Sequence, residues 1–297
     1  MTLGYLLLLT GLVAFGMLGI FHKVADHPRC RPKMIAVILL FWGGILTTAY
    51  TALANPKGLV FPTPVLLIGC CGGAIAALAL FVFQTGLKYG KISTSWLIIN
   101  LATSIPILLS IFLFGEKLSL GKIIGIGLVL AAVIMLWWDK RIDLQLARVD
   151  LDGSRPLKPS RWLPLMMLSF IGQGLAASSQ KILVEAKQGD YVWQFYIVLY
   201  WSGFVVMLLL SILREPWPNR REFGTAFVMA VCSVVGNVSI TTALKTVKGA
   251  VAYPVSNGGS LSLVVLAGVL FFREKIHPIG IAGIVCGIGA ILILVLT

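Results

Sequence analysis

Charge is scarce in this sequence, and it is absent where membrane chemistry would most need it. Asp, Glu, Lys and Arg make up 12% of the 297 residues, against roughly 25% in an ordinary soluble domain. With 58% hydrophobic residues and a mean hydropathy of +0.96, the chain carries more apolar surface than a soluble core absorbs. Lipid accepts it, because helices of about 20 apolar residues satisfy their own backbone groups. All 11 carboxylates fall in connections or at the ends of apolar runs. An acid at mid-membrane is the usual carrier of a proton or cation relay, so coupling through a buried carboxylate is not expected.

Other absences narrow the field further. The five cysteines, Cys30, Cys70, Cys71, Cys232 and Cys286, show no metal-ligand spacing; four lie inside apolar runs and read as packing residues. No Ser/His/Asp order, phosphate-binding loop, HExxH helix or dinucleotide fingerprint is present. The chain is therefore not expected to be an enzyme, and neither a cofactor nor a metal is implied. His22, His27 and His277 stand at or beyond run ends, where a solvated or interfacial role is expected. The formal charge of +13 comes from 24 Lys and Arg in short connections rather than in one patch, which excludes a nucleic-acid partner and leaves topology signals and lipid headgroup contacts. No basic segment precedes Leu3, so the first run reads as a retained helix rather than a cleaved signal.

What is present is a series of ten apolar runs, at about 3 to 21, 34 to 54, 64 to 87, 92 to 114, 120 to 138, 162 to 183, 191 to 213, 223 to 244, 249 to 272 and 277 to 296. The fold class they predict is an all-α integral membrane protein of ten transmembrane helices, multi-pass in the cell membrane. A polar linker at 139–161 separates a first five-helix repeat, 1–138, from a second, 162–297. The halves match residue by residue: a shift of 157 pairs Thr85 with Thr242, Lys88 with Lys245, Lys91 with Lys248 and Asn100 with Asn257. Gly16 pairs with Gly174, Lys23 with Lys181, Trp42 with Trp201, and Glu116-Lys117 with Glu274-Lys275. Chance apolar similarity would not keep matching Lys, Asn, Glu and Trp. Because each repeat has an odd number of spans, the second enters the membrane from the opposite side, and the repeats are inverted.

Leu87-Lys88-Tyr89, the segment Phe114-Gly115-Glu116-Lys117-Leu118-Ser119, and Phe272-Arg273-Glu274-Lys275-Ile276 followed by Gly280 and Gly283 resemble the drug/metabolite transporter superfamily in its EamA-like branch. The resemblance covers nearly the whole chain. It implies a ten-helix transporter with a central cavity between the halves, and it names no substrate. The two Glu-Lys motifs are read as structural, each Glu favouring the N-terminus of the helix that follows it.

Neutral polar and aromatic residues remain as candidates for binding a small-molecule substrate: Asn100, Asn257, Gln173, Gln180, Tyr200, Trp201, Trp42, Gln84 and Tyr253. Buried amides in lipid need partners from neighbouring helices or from a ligand, and both readings stay open for Asn100 and Asn257. Gln173 and Gln180, seven apart, share a helix face. Trp96 and Trp193, near run starts, read as membrane-belt residues. Lys23, Lys181, Lys88 and Lys245 read as snorkelling to the surface, with an anion-binding rim as the alternative. Pro106, Pro164 and Pro254 interrupt runs and mark bending elements.

The function expected is secondary transport, as a facilitator or exchanger, of a small organic metabolite by alternating access. The rivals are a lipid scramblase or flippase and a non-transporting membrane scaffold. Membrane lipids are the other expected partners, and a homodimer is compatible with the pattern. Of the 24 Lys and Arg, 17 follow odd-numbered runs and seven follow even-numbered ones. The positive-inside rule then puts both termini outside the cytoplasm, whereas the family resemblance puts them inside.

Overall fold

The computed structural model describes all residues except 1, 55–57, 103, 106–108, 110–119, 148–158, 212–215, 244–255, 257–258, 275 and 297. Among the described residues there are ten α-helices and no strand: α1 (Thr2–Val24), α2 (Pro32–Ala54), α3 (Thr63–Leu87), α4 (Ile92–Leu101), α5 (Leu120–Ala147), α6 (Pro159–Glu185), α7 (Val192–Ser211), α8 (Arg220–Ala243), α9 (Gly259–Leu270) and α10 (Pro278–Leu296). A 3-10 turn, Gly189–Tyr191, leads into α7. Among the described residues, five segments are long and apolar enough to cross a membrane: Leu3–Val24, Pro32–Ala54, Thr63–Leu87, Gly189–Leu210 and Arg220–Ile240. Each apolar run of the sequence holds one helix. Helix α5 runs on through Ala147, into the stretch read as linker.

Helix starts follow local chemistry. Pro32, Pro64, Pro159 and Pro278 stand in first turns, where proline's fixed φ fits and its missing N–H is not needed. Helix α8 opens on a capping box. The Oδ1 of Asn219 accepts from the Glu222 N–H at 2.8 Å, and Glu222 Oε2 accepts from the Asn219 N–H at 2.9 Å, so two orphan donors are met reciprocally. Pro164 lies inside α6; Pro106 and Pro254 are outside the described residues.

One end of the bundle gathers the charge. Arg31, before α2, places its guanidinium on Glu222 at 2.8 and 2.9 Å and also donates to the carbonyls of Pro216 and Trp217 beyond α7. Lys91, at the start of α4, pairs with Asp139 of α5 at 3.1 Å. Asp139 Oδ1 accepts from the backbone N–H of His277 at the start of α10. Glu274, just past α9, accepts from the Ile92 N–H at the start of α4. Glu274 therefore caps a helix of the other half. At the same end, the Trp162 indole of α6 donates to Ser95 of α4 at 3.0 Å. The opposite end holds Gln194 of α7, which donates to the Gly58 carbonyl between α2 and α3. Helix α1 thus finishes at the charged end, where its counterpart α6 begins.

The halves interleave rather than pack as two blocks. Helix α3 lies on α6 and α7, and its counterpart α8 lies on α1 and α2; α2 crosses α7, and α5 pairs with α10. The α2–α7 crossing is close because Gly43 and Gly44 present no side chain: a Cβ on Gly43 would meet the Tyr200 ring at 2.5 Å, and one on Gly44 the Trp201 ring at 2.9 Å. Small residues let helix backbones approach where lipid supplies no hydrophobic drive between helices. Leu3, Leu6, Leu9 and Val13 along α1, and Leu66 and Leu67 on α3, point outward, as a lipid-facing surface requires. Cys70 and Cys71 are exposed with them on α3, a correction to their reading as packing residues: the small polarisable thiol is as compatible with lipid as with a core.

Candidate functional site

A cavity of about 290 Å³ lies among eight helices, α1 to α4 and α6 to α9. Helices α5 and α10, packed on each other, contribute no lining residue among those described. Both halves therefore build one chamber.

Its first wall is aromatic. Phe15 and His22 of α1, Phe83 of α3 and Trp96 of α4 line it. The His22 ring meets Phe83 edge-on at 5.1 Å and stands 5.7 Å from Trp96, and Phe83 lies 6.0 Å from Trp96, distances typical of favourable ring pairs. His22 is 3% exposed. Its Nδ1 is 2.6 Å from Gln84 Oε1, while Gln84 Nε2 donates to the His22 carbonyl at 3.2 Å. The carbonyl oxygen can only accept, so Nδ1 carries the proton in this bond. His22 was expected to be solvated or interfacial; the structure overturns this, because α1 continues to Val24 and its last turn is enclosed by α3 and α4. Trp96, read as a belt residue, is 6% exposed and faces inward, since the start of α4 is covered by the start of α6. Its buried indole N–H has no hydrogen-bond partner among the described residues.

The second wall is polar and comes from the other half. Gln173 of α6, Tyr200 of α7, and Ser233 and Asn237 of α8 line it. The Tyr200 hydroxyl is 2.7 Å from Ser233 Oγ and accepts from Asn237 Nδ2 at 3.2 Å. Asn100 of α4 closes the chamber from the first half, donating to the Trp96 carbonyl one turn back at 2.8 Å. No Asp, Glu, Lys or Arg is among the described lining residues. The buried carboxylates Asp139 and Glu222 stand in ion pairs at the charged end, and the described residues hold no cluster fit for a metal ion.

Of the nine residues singled out in the sequence, Asn100, Gln173 and Tyr200 line the chamber, and Gln84 stands behind it, holding His22. Trp201 points elsewhere: its indole donates to Thr48 at 3.1 Å and its ring meets Phe41 and Phe204 edge-on. Trp42 packs against Phe223 and Phe227 of α8. Asn257, Tyr253 and the side chain of Gln180 lie outside the described residues. The sequence did not single out His22, Trp96 or Ser233. A polar or aromatic residue at a run end carries no mark of which way it faces.

The model of the EamA-like transporter family matches residues 2–138 and 153–296, once in each half. No curated protein matches the chain. Chains of solved structures do match it, 27 of them. One, titled "Crystal structure of protein", is 17% identical over 97% of this chain and 96% of its own length, with a TM-score of 0.62. At that identity the likeness shows the fold alone.

Proposed function

From the premise that this chain belongs to the EamA-like transporter family, we propose that it is a secondary transporter that moves a small organic solute by alternating access at the chamber between its halves. Membership makes it a multi-pass membrane protein of a transporter family. The finer reading rests on one observation: residues from both halves line a single cavity, while α1 ends where its counterpart α6 begins. Two oppositely directed copies around one site can exchange conformations, opening the site to one face and then the other. Ten spans as two inverted five-helix repeats in the cell membrane follow from this reading. The absence of a carboxylate among the chamber's described lining residues favours facilitated diffusion or exchange over proton relay by an acid. Liposomes holding the purified protein, screened for flux of neutral and charged solutes and of labelled lipids, test it. Solute flux without lipid flux supports the reading, whereas lipid movement alone favours a scramblase and no movement a scaffold.

Orientation yields a prediction of its own. The charged end gathers Lys23, Arg31, Lys88 and Lys91 at the connections after α1 and α3, and the positive-inside rule puts such an end in the cytoplasm. Both termini then face outward. In a variant lacking native cysteines, an impermeant thiol reagent applied to intact cells is expected to label Thr297→Cys and spare Ser154→Cys. The reverse pattern puts the termini inside.

A further inference from the structure

The two walls of the chamber differ in a way the repeat makes measurable. The register that pairs Gly16 with Gly174 sets Phe15 against Gln173, and the one that pairs Asn100 with Asn257 sets Ala76 against Ser233 and Leu80 against Asn237. All six of these residues line the cavity. At each pair the first repeat is apolar and the second offers hydrogen bonds. The cavity keeps the two-fold plan of the fold and has lost its two-fold chemistry. A solute bound here meets rings on one side and amide, phenol and hydroxyl groups on the other, so it has one preferred orientation.

Charge and size narrow the solute further. An ionised group entering a chamber whose described lining has no counter-charge loses hydration worth several kcal/mol without an ion-pair return. A neutral amide exchanges water for protein hydrogen bonds near parity. The volume of about 290 Å³ is at the low end for drug-sized ligands and suits a single-ring metabolite. The Trp96 indole N–H is enclosed in the aromatic wall with no partner among the described residues; orphaned donors of this kind are rare in folded proteins, and a ligand acceptor can take it up when the indole edge turns into the chamber.

We propose that the transported solute is an un-ionised, planar aromatic or heteroaromatic metabolite with an amide or carbonyl edge. Its ring lies against Phe15, His22, Phe83 and Trp96, and its polar edge meets Gln173, Tyr200 and Asn237. This rests on the transport reading for its physiological sense, but binding is measured separately from flux.

The test is equilibrium binding to the purified protein in nanodiscs, followed by tryptophan fluorescence and calorimetry, with matched pairs at pH 7: nicotinamide against nicotinate, and benzamide against benzoate. Cyclohexanecarboxamide tests the need for a ring. The amides are expected to bind at least tenfold more tightly than their carboxylates, and the non-aromatic amide to fall with the carboxylates. Trp96→Phe, which keeps the ring and removes the N–H, and Asn237→Leu should each weaken the aromatic amides about tenfold while unfolding at the temperature of the parent. Carboxylates binding as well as the amides, no amide binding at all, or variants with unchanged affinity overturn the proposal. Amide binding without flux in liposomes keeps the solute class and sinks transport; flux of charged solutes without amide binding does the opposite.

Discussion

Glu222→Gln is expected to cost more stability than any other substitution of a carboxylate placed by the structure, with a fall of about 6–12 °C in unfolding temperature. The side chain is fully enclosed and accepts from the Arg31 backbone and guanidinium and from the Asn219 N–H. Gln keeps one acceptor and turns a donor toward the guanidinium, so the ion pair with Arg31 is lost. Breaking a buried pair from one side costs about 3 kcal/mol or more, which at about 2–4 °C per kcal/mol for a chain of this size gives the range above. Thermal unfolding in detergent reads it. Because Glu222 holds the loop before α2 to the start of α8 rather than facing the chamber, the protein that folds should still carry solute. The double variant Arg31→Leu with Glu222→Gln should recover part of the loss, since no unpaired charge remains. An unfolding temperature equal to the parent's would show that this end of the bundle does not depend on the pair.

Asn100→Leu is expected to do the opposite: to reduce flux far more than it reduces the amount of folded protein. Its amide donates within its own helix to the Trp96 carbonyl, a bond whose loss leaves a helical carbonyl that the α4 ladder already serves. Toward the chamber, the loss of a polar group that a bound solute uses costs about 1–3 kcal/mol, or roughly five- to 150-fold in affinity at 1.4 kcal/mol per decade. Initial rates in liposomes, normalised to folded protein, should drop by at least about fivefold. Unchanged rates would place the solute elsewhere than beside Asn100.

These two residues also show what the sequence discloses and what it hides. Each of the ten apolar runs holds one of the helices found among the described residues, and the paired Lys, Trp and Asn positions disclose the repeat, because composition and spacing along the chain survive folding unchanged. Facing does not. In a soluble helix the polar side marks solvent, but lipid is as apolar as a core, so Leu9, which points outward, and Leu8, which is fully buried, look alike. That is why Tyr200 and Trp201, adjacent in the chain, were both candidates, while the structure turns one into the chamber and the other into the α2–α7 seam. His22 was hidden by its place two residues from the end of α1, and Trp96 by its place near the start of α4. Cover from α3 and α4 makes His22 interior, and cover from α6 of the other half does the same for the start of α4. Neither the capping box of Asn219 and Glu222 nor its partner Arg31, 191 residues away, was singled out in the sequence.

The measurement that bears most directly on alternating access uses Ser233, which lines the chamber on α8. A Ser233→Cys variant free of native cysteines, reconstituted in liposomes in one orientation, is exposed to an impermeant thiol reagent from the outside or from the lumen in separate experiments. The account predicts reaction from each face, with the vesicles staying tight to the reagent throughout. Reaction from one face only, at every temperature tested and with the aromatic amides present, or free passage of the reagent across the membrane, would contradict it.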